Sequence, residues 1–186
     1  MPKRLTLLAF TLFTSTIISH DVLTNDVFAE PAKFSGLVAS HNKVRAKHGL
    51  SPLQWSNQLA GYAQQWANEL SNNQNCAMLH RPNFGSFKQR FGENLFWASP
   101  EEWSDGIIKL QQFSAPDIVK AWAEEENFYN YNTNQCQKGE DCGHYTQMVW
   151  RESRNVGCAI AICKNKAQIW ACNYDPPGNY IGEKPY

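Results

Sequence analysis

The 186-residue sequence has no net charge, with 17 lysines and arginines matched by 17 aspartates and glutamates. A balanced chain has no broad positive field, which excludes nucleic acid and acidic membrane surfaces as partners recruited by charge alone. Beyond the N-terminal region no apolar run is long enough to cross a bilayer as a helix, so the chain does not read as transmembrane. There is no His-Glu-x-x-His pattern and no nucleophile with a base beside it, so the common sequence marks of a hydrolase are missing. No Cys-x-x-Cys pair occurs, which ranks a cysteine-rich zinc site low. Internal repeats and low-complexity linkers are also missing after residue 29, and 42% hydrophobic with 13% aromatic residues is ample for one domain with a core.

The chain starts with a basic cap, Met1-Pro-Lys-Arg4, an uncharged run from Leu5 to Ile18, and Val27-Phe28-Ala29 as a processing pattern before Glu30. This predicts a secretory signal over 1–29 and a mature domain over 30–186, an uncleaved anchor being the alternative. Six cysteines, an even number in a secreted chain, predict three disulfides in an oxidising compartment.

Periodicity predicts a first helix over Ser35 to Lys47, ended by Gly49 and Pro52, with His41 structural and His48 a cation suited to the helix end. An extended piece, Leu53 to Trp55, precedes a second helix capped by Ser56 with Leu59, Tyr62, Ala63, Trp66, Ala67 and Leu70 as its stripe. Phe91, Phe96 and Trp97 suggest a buried strand around Glu93, a carboxylate that burial would penalise unless it is paired or coordinating. Ser99 to Trp103 reads as a brief helical turn. Pro116 and Asp117 open a third helix whose spacing puts Glu125 on the packed side and leaves Glu124 and Glu126 solvated, although an acidic run of three is often all surface. Cys142 to Trp150 is a helix or a strand carrying His144, a packed histidine or a ligand. Val156 to Cys163 and Gln168 to Tyr174 read as two strands around Lys164-Asn-Lys166, followed by a tail too rich in Pro and Gly to continue.

Gly143 to Ser153 (GHYTQMVWRES) and Ile169 to Tyr180 (IWACNYDPPGNY) resemble the two signature motifs of the CAP superfamily of cysteine-rich secretory, antigen 5 and pathogenesis-related proteins. The resemblance is closest to the pathogenesis-related class 1 branch and also covers His41-Asn-Lys-Val-Arg45, Cys76 to His80 and Gly92-Glu-Asn-Leu95. Arg81 stands where the family commonly has serine, and the insert Pro82 to Phe91 is longer than in typical plant members. The resemblance implies an α+β fold, an α-β-α sandwich around a three- or four-stranded antiparallel sheet. It also implies a cleft tetrad of His80, Glu93, Glu125 and His144 able to bind Zn²⁺ or another divalent cation weakly, with affinity falling as pH drops through roughly 6.

Six cysteines allow fifteen pairings. A hairpin turning at Asn165 faces residues whose numbers sum to 330, which pairs Cys158 with Cys172; Cys163, an odd number of positions from Cys158, points to the other face. Cys136 and Cys142 close a short polar loop, which leaves Cys76 for Cys163.

The function this favours is a secreted, monomeric, non-enzymatic binding or defence-type protein with a metal-responsive cleft and, as the resemblance implies, a sterol or lipid groove and a protein target. Two alternatives stand beside it: a metal-dependent hydrolase or protease, and a precursor whose tail, Pro176 to Tyr186, resembles a signalling peptide released by plant relatives. The tail packing on the sheet is the plain reading of the same residues.

Overall fold

The computed structural model describes residues 29–186; the expected signal segment lies outside the described residues apart from Ala29. A 3-10 turn, Ala32–Phe34, leads into α1 (Leu37–Ala46). Both carboxylate oxygens of Glu30 accept from the helix entry, from Gly36 N–H at 2.5 Å and Val38 N–H at 2.8 Å, satisfying donors that the first turn leaves free. The chain continues through β1 (Gln54–Trp55) to α2 (Asn57–Asn72), where Ser56 Oγ accepts from Leu59 N–H as the sequence predicts. Strands β2 (Gly92–Ala98), β3 (Glu101–Glu102) and β4 (Ile108–Lys109) follow. A Ser114/Asp117 capping box with Pro116 in the first turn then starts α3 (Ala115–Glu124). After a 3-10 turn, Glu125–Phe128, come β5 (Tyr129–Asn130), β6 (Gln135–Cys136), α4 (Gly143–Met148), β7 (Asn155–Ile162) and β8 (Gln168–Asp175).

The central sheet has the order β1-β7-β8-β2. Its β7–β8 hairpin pairs Cys158 with Cys172, the register the sequence predicts. Even-numbered residues of this hairpin, Val156, Cys158, Trp170, Cys172 and Tyr174, enter a core shared with α1, α3 and α4. Odd-numbered Ala159, Ala161, Ile169 and Ala171 enter a second core beneath α2. Helices therefore cover both faces, an α-β-α sandwich. All three predicted disulfides are present: Cys76–Cys163, Cys136–Cys142 and Cys158–Cys172. Among the described residues no helix is long and apolar enough to cross a membrane.

Several local expectations are corrected. β1 pairs parallel with β7, so the sheet is not wholly antiparallel; the contact is two residues long and forms where the α1–α2 connection crosses the sheet edge. Ser99 to Trp103 is not helical, because Gly106 at φ 80° turns the chain back and Trp103 N–H donates to Ile107 O at 3.0 Å, pairing β3 with β4. Phe91 precedes β2, and Trp97 is 43% exposed because β2 is an edge strand. Glu126 is not simply solvated: it accepts from Lys47 Nζ at 2.8 Å and lies 3.5 Å from His48 Nε2. His48 is no free helix-end cation, since burial lowers its pKa despite Glu126 and its ring stacks on Tyr186.

Small residues set the spacing between α2 and the sheet. A Cβ at Gly157 would lie 2.3 Å from both Ala60 N and Ser56 O, which are backbone atoms at the helix start and cannot rotate away. Gly157→Ala should therefore lower the unfolding free energy by ~3 kcal/mol or more in urea titration; a loss under ~1 kcal/mol would show that α2 can lift off the sheet at little cost.

Candidate functional site

The site is built around the start of β2, where the two helical layers meet across the sheet edge. Gly92 leaves room for the Gln147 amide of α4: a Cβ would lie 2.1 Å from Gln147 Oε1, so a larger residue would have to displace that buried side chain. Behind it runs a buried polar chain. His41 Nδ1–H donates to Leu37 O at 2.9 Å, and His41 Nε2 lies 2.8 Å from the Tyr174 hydroxyl. Asn94 Nδ2 donates to that hydroxyl at 3.2 Å and to His144 O at 3.0 Å. His41 is thus structural, as expected, and it ties α1 to strand β8. Burial lowers its pKa to about 4 and pushes the Tyr174 phenol up, so both are neutral near pH 7.

Arg45, fully buried, holds the other end of α4. Its Nη1 donates to Met148 O at 2.9 Å and Trp150 O at 2.8 Å, its Nη2 to Ser153 O at 3.1 Å and its Nε to Ser51 O at 2.9 Å. A cation on the last carbonyls of a helix satisfies acceptors the helix leaves free. Desolvation lowers its pKa to about 10, which leaves it charged.

The four expected residues form two histidine–glutamate pairs. His80 Nδ1 lies 2.8 Å from Glu93 Oε1, and Arg81 N–H donates to the same oxygen at 3.1 Å. The Glu93 side chain is 2% exposed while that of His80 is 61% exposed. The hydrogen bond to Glu93 raises the His80 pKa against desolvation, with Asp141 adding to the rise. His144 Nδ1 lies 2.6 Å from Glu125 Oε1, while Glu125 Oε2 accepts from the N–H groups of His144 and Tyr145, both at 3.0 Å. Glu125 thereby caps the start of α4, and Trp122 stacks on the His144 ring.

His80, Glu93 and His144 line one cleft of about 390 Å³; Glu125 is not on its wall. A residue that sequence reading passed over, Asp141, does line it. Carboxylate oxygens of Asp141 and Glu125 and a ring nitrogen of His144 all lie within 4.8 Å of one another. The available signal was its place in the Cys136–Cys142 loop, two residues before the His144 helix; there Asp141 Oδ1 accepts from Gly143 N–H at 2.8 Å.

Each imidazole has Nδ1 held by a glutamate, which fixes the ring and leaves Nε2 as the donor for an ion. Glu93 Oε2 is buried without a hydrogen-bond partner. The Asp141 and Glu125 carboxylates and the His144 ring, which lie within reach of one another, are a donor set that fits a divalent cation of the zinc type, and the orphaned Glu93 oxygen and His80 line the same cleft.

The tail packs over α4 rather than on the sheet. Gly178 N–H donates to Gln147 Oε1 at 3.0 Å, Asn179 Nδ2 to Gly143 O at 2.8 Å, and Ser153 Oγ to Pro176 O at 2.8 Å. Pro177, Gly178 and Asn179 form one wall of the cleft. Tyr186 stacks between His48 and Tyr131 at centroid distances of 4.1 Å and 4.7 Å.

A disulfide-fastened α-β-α sandwich with a histidine–carboxylate cleft at its sheet edge defines a class, and the comparisons agree: the model of the CAP, or cysteine-rich secretory protein, family matches residues 38–174, and the chain belongs to that family. Within it the chain falls in the pathogenesis-related class 1 branch. It is 39% identical to pathogenesis-related protein PR-1 of Medicago truncatula over 96% of this chain and 95% of that protein. It is 42% identical to the basic form of pathogenesis-related protein 1 of Nicotiana tabacum over 78% of this chain and 71% of that protein. Among solved structures, Schistosoma mansoni venom allergen-like protein 4 superposes with a TM-score of 0.59 at 27% identity, covering 84% of this chain and 94% of that one. The structure of NaASP2 with Zn²⁺ superposes with a TM-score of 0.60 at 22% identity, covering 83% and 84%, a likeness of fold.

The polar chain makes stability depend on pH. In the unfolded chain His41 binds a proton as pH falls below 6.5, whereas in the folded protein it resists until about 4. Its contribution is therefore complete above pH 6.5 and lost between 6.5 and 4. The loss amounts to about 3 kcal/mol of unfolding free energy from this one group. Urea titrations at stepped pH, with NMR titration of the His41 ring, check this; a ring that titrates near its ordinary value would contradict it.

Proposed function

We propose that this chain is a secreted pathogenesis-related binding protein, expelled by the 1–29 segment as a monomeric 30–186 domain, whose cleft holds a divalent cation of the zinc class. The observation that carries the reading is the meeting of two glutamate-held imidazoles, from opposite helical layers, in one cleft with the orphaned Glu93 Oε2. His80 and His144 would ligate the ion, Glu93 and Asp141 would supply carboxylate oxygen, and Glu125 would orient the His144 ring. When bound, the ion would neutralise clustered acids and join the halves of the cleft. The structure of NaASP2 with Zn²⁺ supports the choice of metal. Three disulfides with no free cysteine suit an oxidising compartment.

An apolar ligand of the sterol or lipid class is the second part of the reading. What supports it is the exposure of Trp97, Trp103, Ile107 and Ile108 on β2 and the β3–β4 hairpin, each at least 43% exposed. Binding there is reversible and needs no nucleophile.

Calorimetric titration of the mature domain with zinc should show binding in the parent that falls ~100-fold in His80→Ala or His144→Ala and ~10-fold in Asp141→Asn. Glu124→Gln, on a side chain that is 62% exposed, should change nothing. His41→Ala is not a neutral control, because His41 reaches His144 through Tyr174 and Asn94. Since Glu93 raises the His80 pKa, protons should begin to displace the metal above pH 6.5 on acidification, earlier than the sequence suggests. Undiminished zinc binding in His144→Ala would overturn the site assignment.

For the apolar ligand, Trp103→Ser with Ile107→Ser should weaken binding of a sterol or fatty acid while leaving zinc affinity unchanged. Ester or peptide hydrolysis lost in Glu93→Gln would instead favour a metallohydrolase.

A further inference from the structure

Arg81 is 5% exposed, yet among the described residues no carboxylate forms an ion pair with its guanidinium. Burying a guanidinium is costly unless something replaces its water. Aromatic rings do so in part here: its central carbon lies 3.6 Å from the Tyr62 ring centroid, 5.6 Å from that of Trp66 and 5.7 Å from that of Phe87, while its Nε is buried without a hydrogen-bond partner. One Nη also donates to Tyr62 O.

Tyr62 and Trp66 are one turn apart on α2, and the whole segment from Leu79 to Phe91 is moored to them. Trp66 Nε1 donates to Leu79 O at 2.8 Å where the segment begins. The Tyr62 hydroxyl donates to Lys88 O at 2.7 Å and accepts from Arg90 N–H at 3.1 Å where it returns, and Phe91 meets the Tyr62 ring edge-on. Phe87, inside the insert, closes the cage from the far side against Trp66. Arg81 is the centre on which these contacts converge. His80 sits between two fixed backbone points, Leu79 O and Arg81 N, and among the described residues its exposed ring hydrogen-bonds to Glu93 alone.

We infer that Arg81 is a positioning residue: its caged guanidinium locks the 79–91 segment onto α2 and thereby sets where the His80 imidazole and Glu93 meet in the cleft. The consequence for metal rests on the proposed cation site; the consequence for geometry does not. The planar guanidinium is what matters, since it covers a ring face and hydrogen-bonds at its edge, whereas a lysine ammonium is a hydrated point charge.

The test uses the disulfide-bonded mature domain and the variants Arg81→Met, which fills the space without charge, Arg81→Lys, and Phe87→Leu, which thins the cage without touching Arg81. In metal-free protein, NMR should show the His80 Nδ1 proton held by Glu93 in the parent and lost to exchange in Arg81→Met, with the His144 ring signals unmoved. Trypsin should cut after Lys88 or Arg90 ~10-fold faster in Arg81→Met, with smaller changes in Arg81→Lys and Phe87→Leu. Zinc affinity should fall ~10-fold in Arg81→Met. A parent-like His80 signal and parent-like cleavage in a folded Arg81→Met, or in Phe87→Leu should Arg81→Met not fold, overturns the inference. If the parent itself binds no zinc, the cation reading falls, and the ring signal and cleavage rates still decide the role of Arg81.

Discussion

The hydrogen-bond chain from α1 to α4 can run in only one direction, and the position of His144 depends on it. The Leu37 carbonyl can only accept, so the His41 proton must sit on Nδ1, which makes Nε2 an acceptor. The Tyr174 hydroxyl must then donate to Nε2 and accept from Asn94. The second Asn94 proton is left for the His144 carbonyl. Every proton in the chain has one place, and each link belongs to a different element: helix, strand, strand, helix. Asn94 Oδ1 alone is buried without a partner among these groups; the donors are all placed, and a buried network of this kind rigidifies its surroundings because a local rearrangement would strand further polar atoms away from water. Arg45 does the same at the far end of α4 with a charge, so a helix of six residues, too short to be stable alone, is pinned at both ends.

The two cores have different textures for a related reason. On the α1, α3, α4 side, large rings such as Trp122, Tyr145, Trp170 and Tyr174 fill the space and bring polar atoms with them. On the α2 side, Ala159, Ala161, Ala167 and Ala171, with Gly157, let one long helix lie close to the strands. The α2 layer then delivers His80 by way of Tyr62 and Trp66, and the opposite layer delivers His144. The cleft is where the two differently packed halves meet, with Gly92, Gly143 and Gly178 in its lining.

What could be read from the sequence follows from the range of each interaction. Parity along β7 and β8 suffices to pair Cys158 with Cys172 and to send Cys163 to the other face, because side-chain direction in a strand is fixed by counting. The Ser56 cap and the stripe of α2 are equally local. The motifs carried the fold class and pointed to His80, Glu93 and His144, which share the cleft, and to Glu125, which sits behind His144 off its wall; which nitrogen faces which carboxylate was not there to be read. Asp141 was legible only by its closeness in sequence to the His144 helix, a weak signal in a loop of polar residues, until folding sets its carboxylate beside the ring. His41 and Tyr174 lie 133 positions apart and Arg45 and Met148 lie 103 apart, so the polar core was invisible to any periodic pattern. The β3–β4 hairpin was misread for the opposite reason: Ser99-Pro-Glu-Glu resembles a helix start, and the Asp105-Gly106 turn that reverses the chain lies just beyond it.

The tail has a thermodynamic side. Since Pro177, Gly178 and Asn179 are part of the cleft wall, and Tyr186 is gripped elsewhere between two rings, the last eleven residues behave as a ligand that happens to be covalently attached. Linkage is reciprocal: whatever favours the docked tail favours an occupant that touches that wall, by the same factor in each direction. A chain severed before Pro176 would present the tail at a finite rather than an intramolecular concentration, and the cleft would then sense how much of that free segment surrounds it.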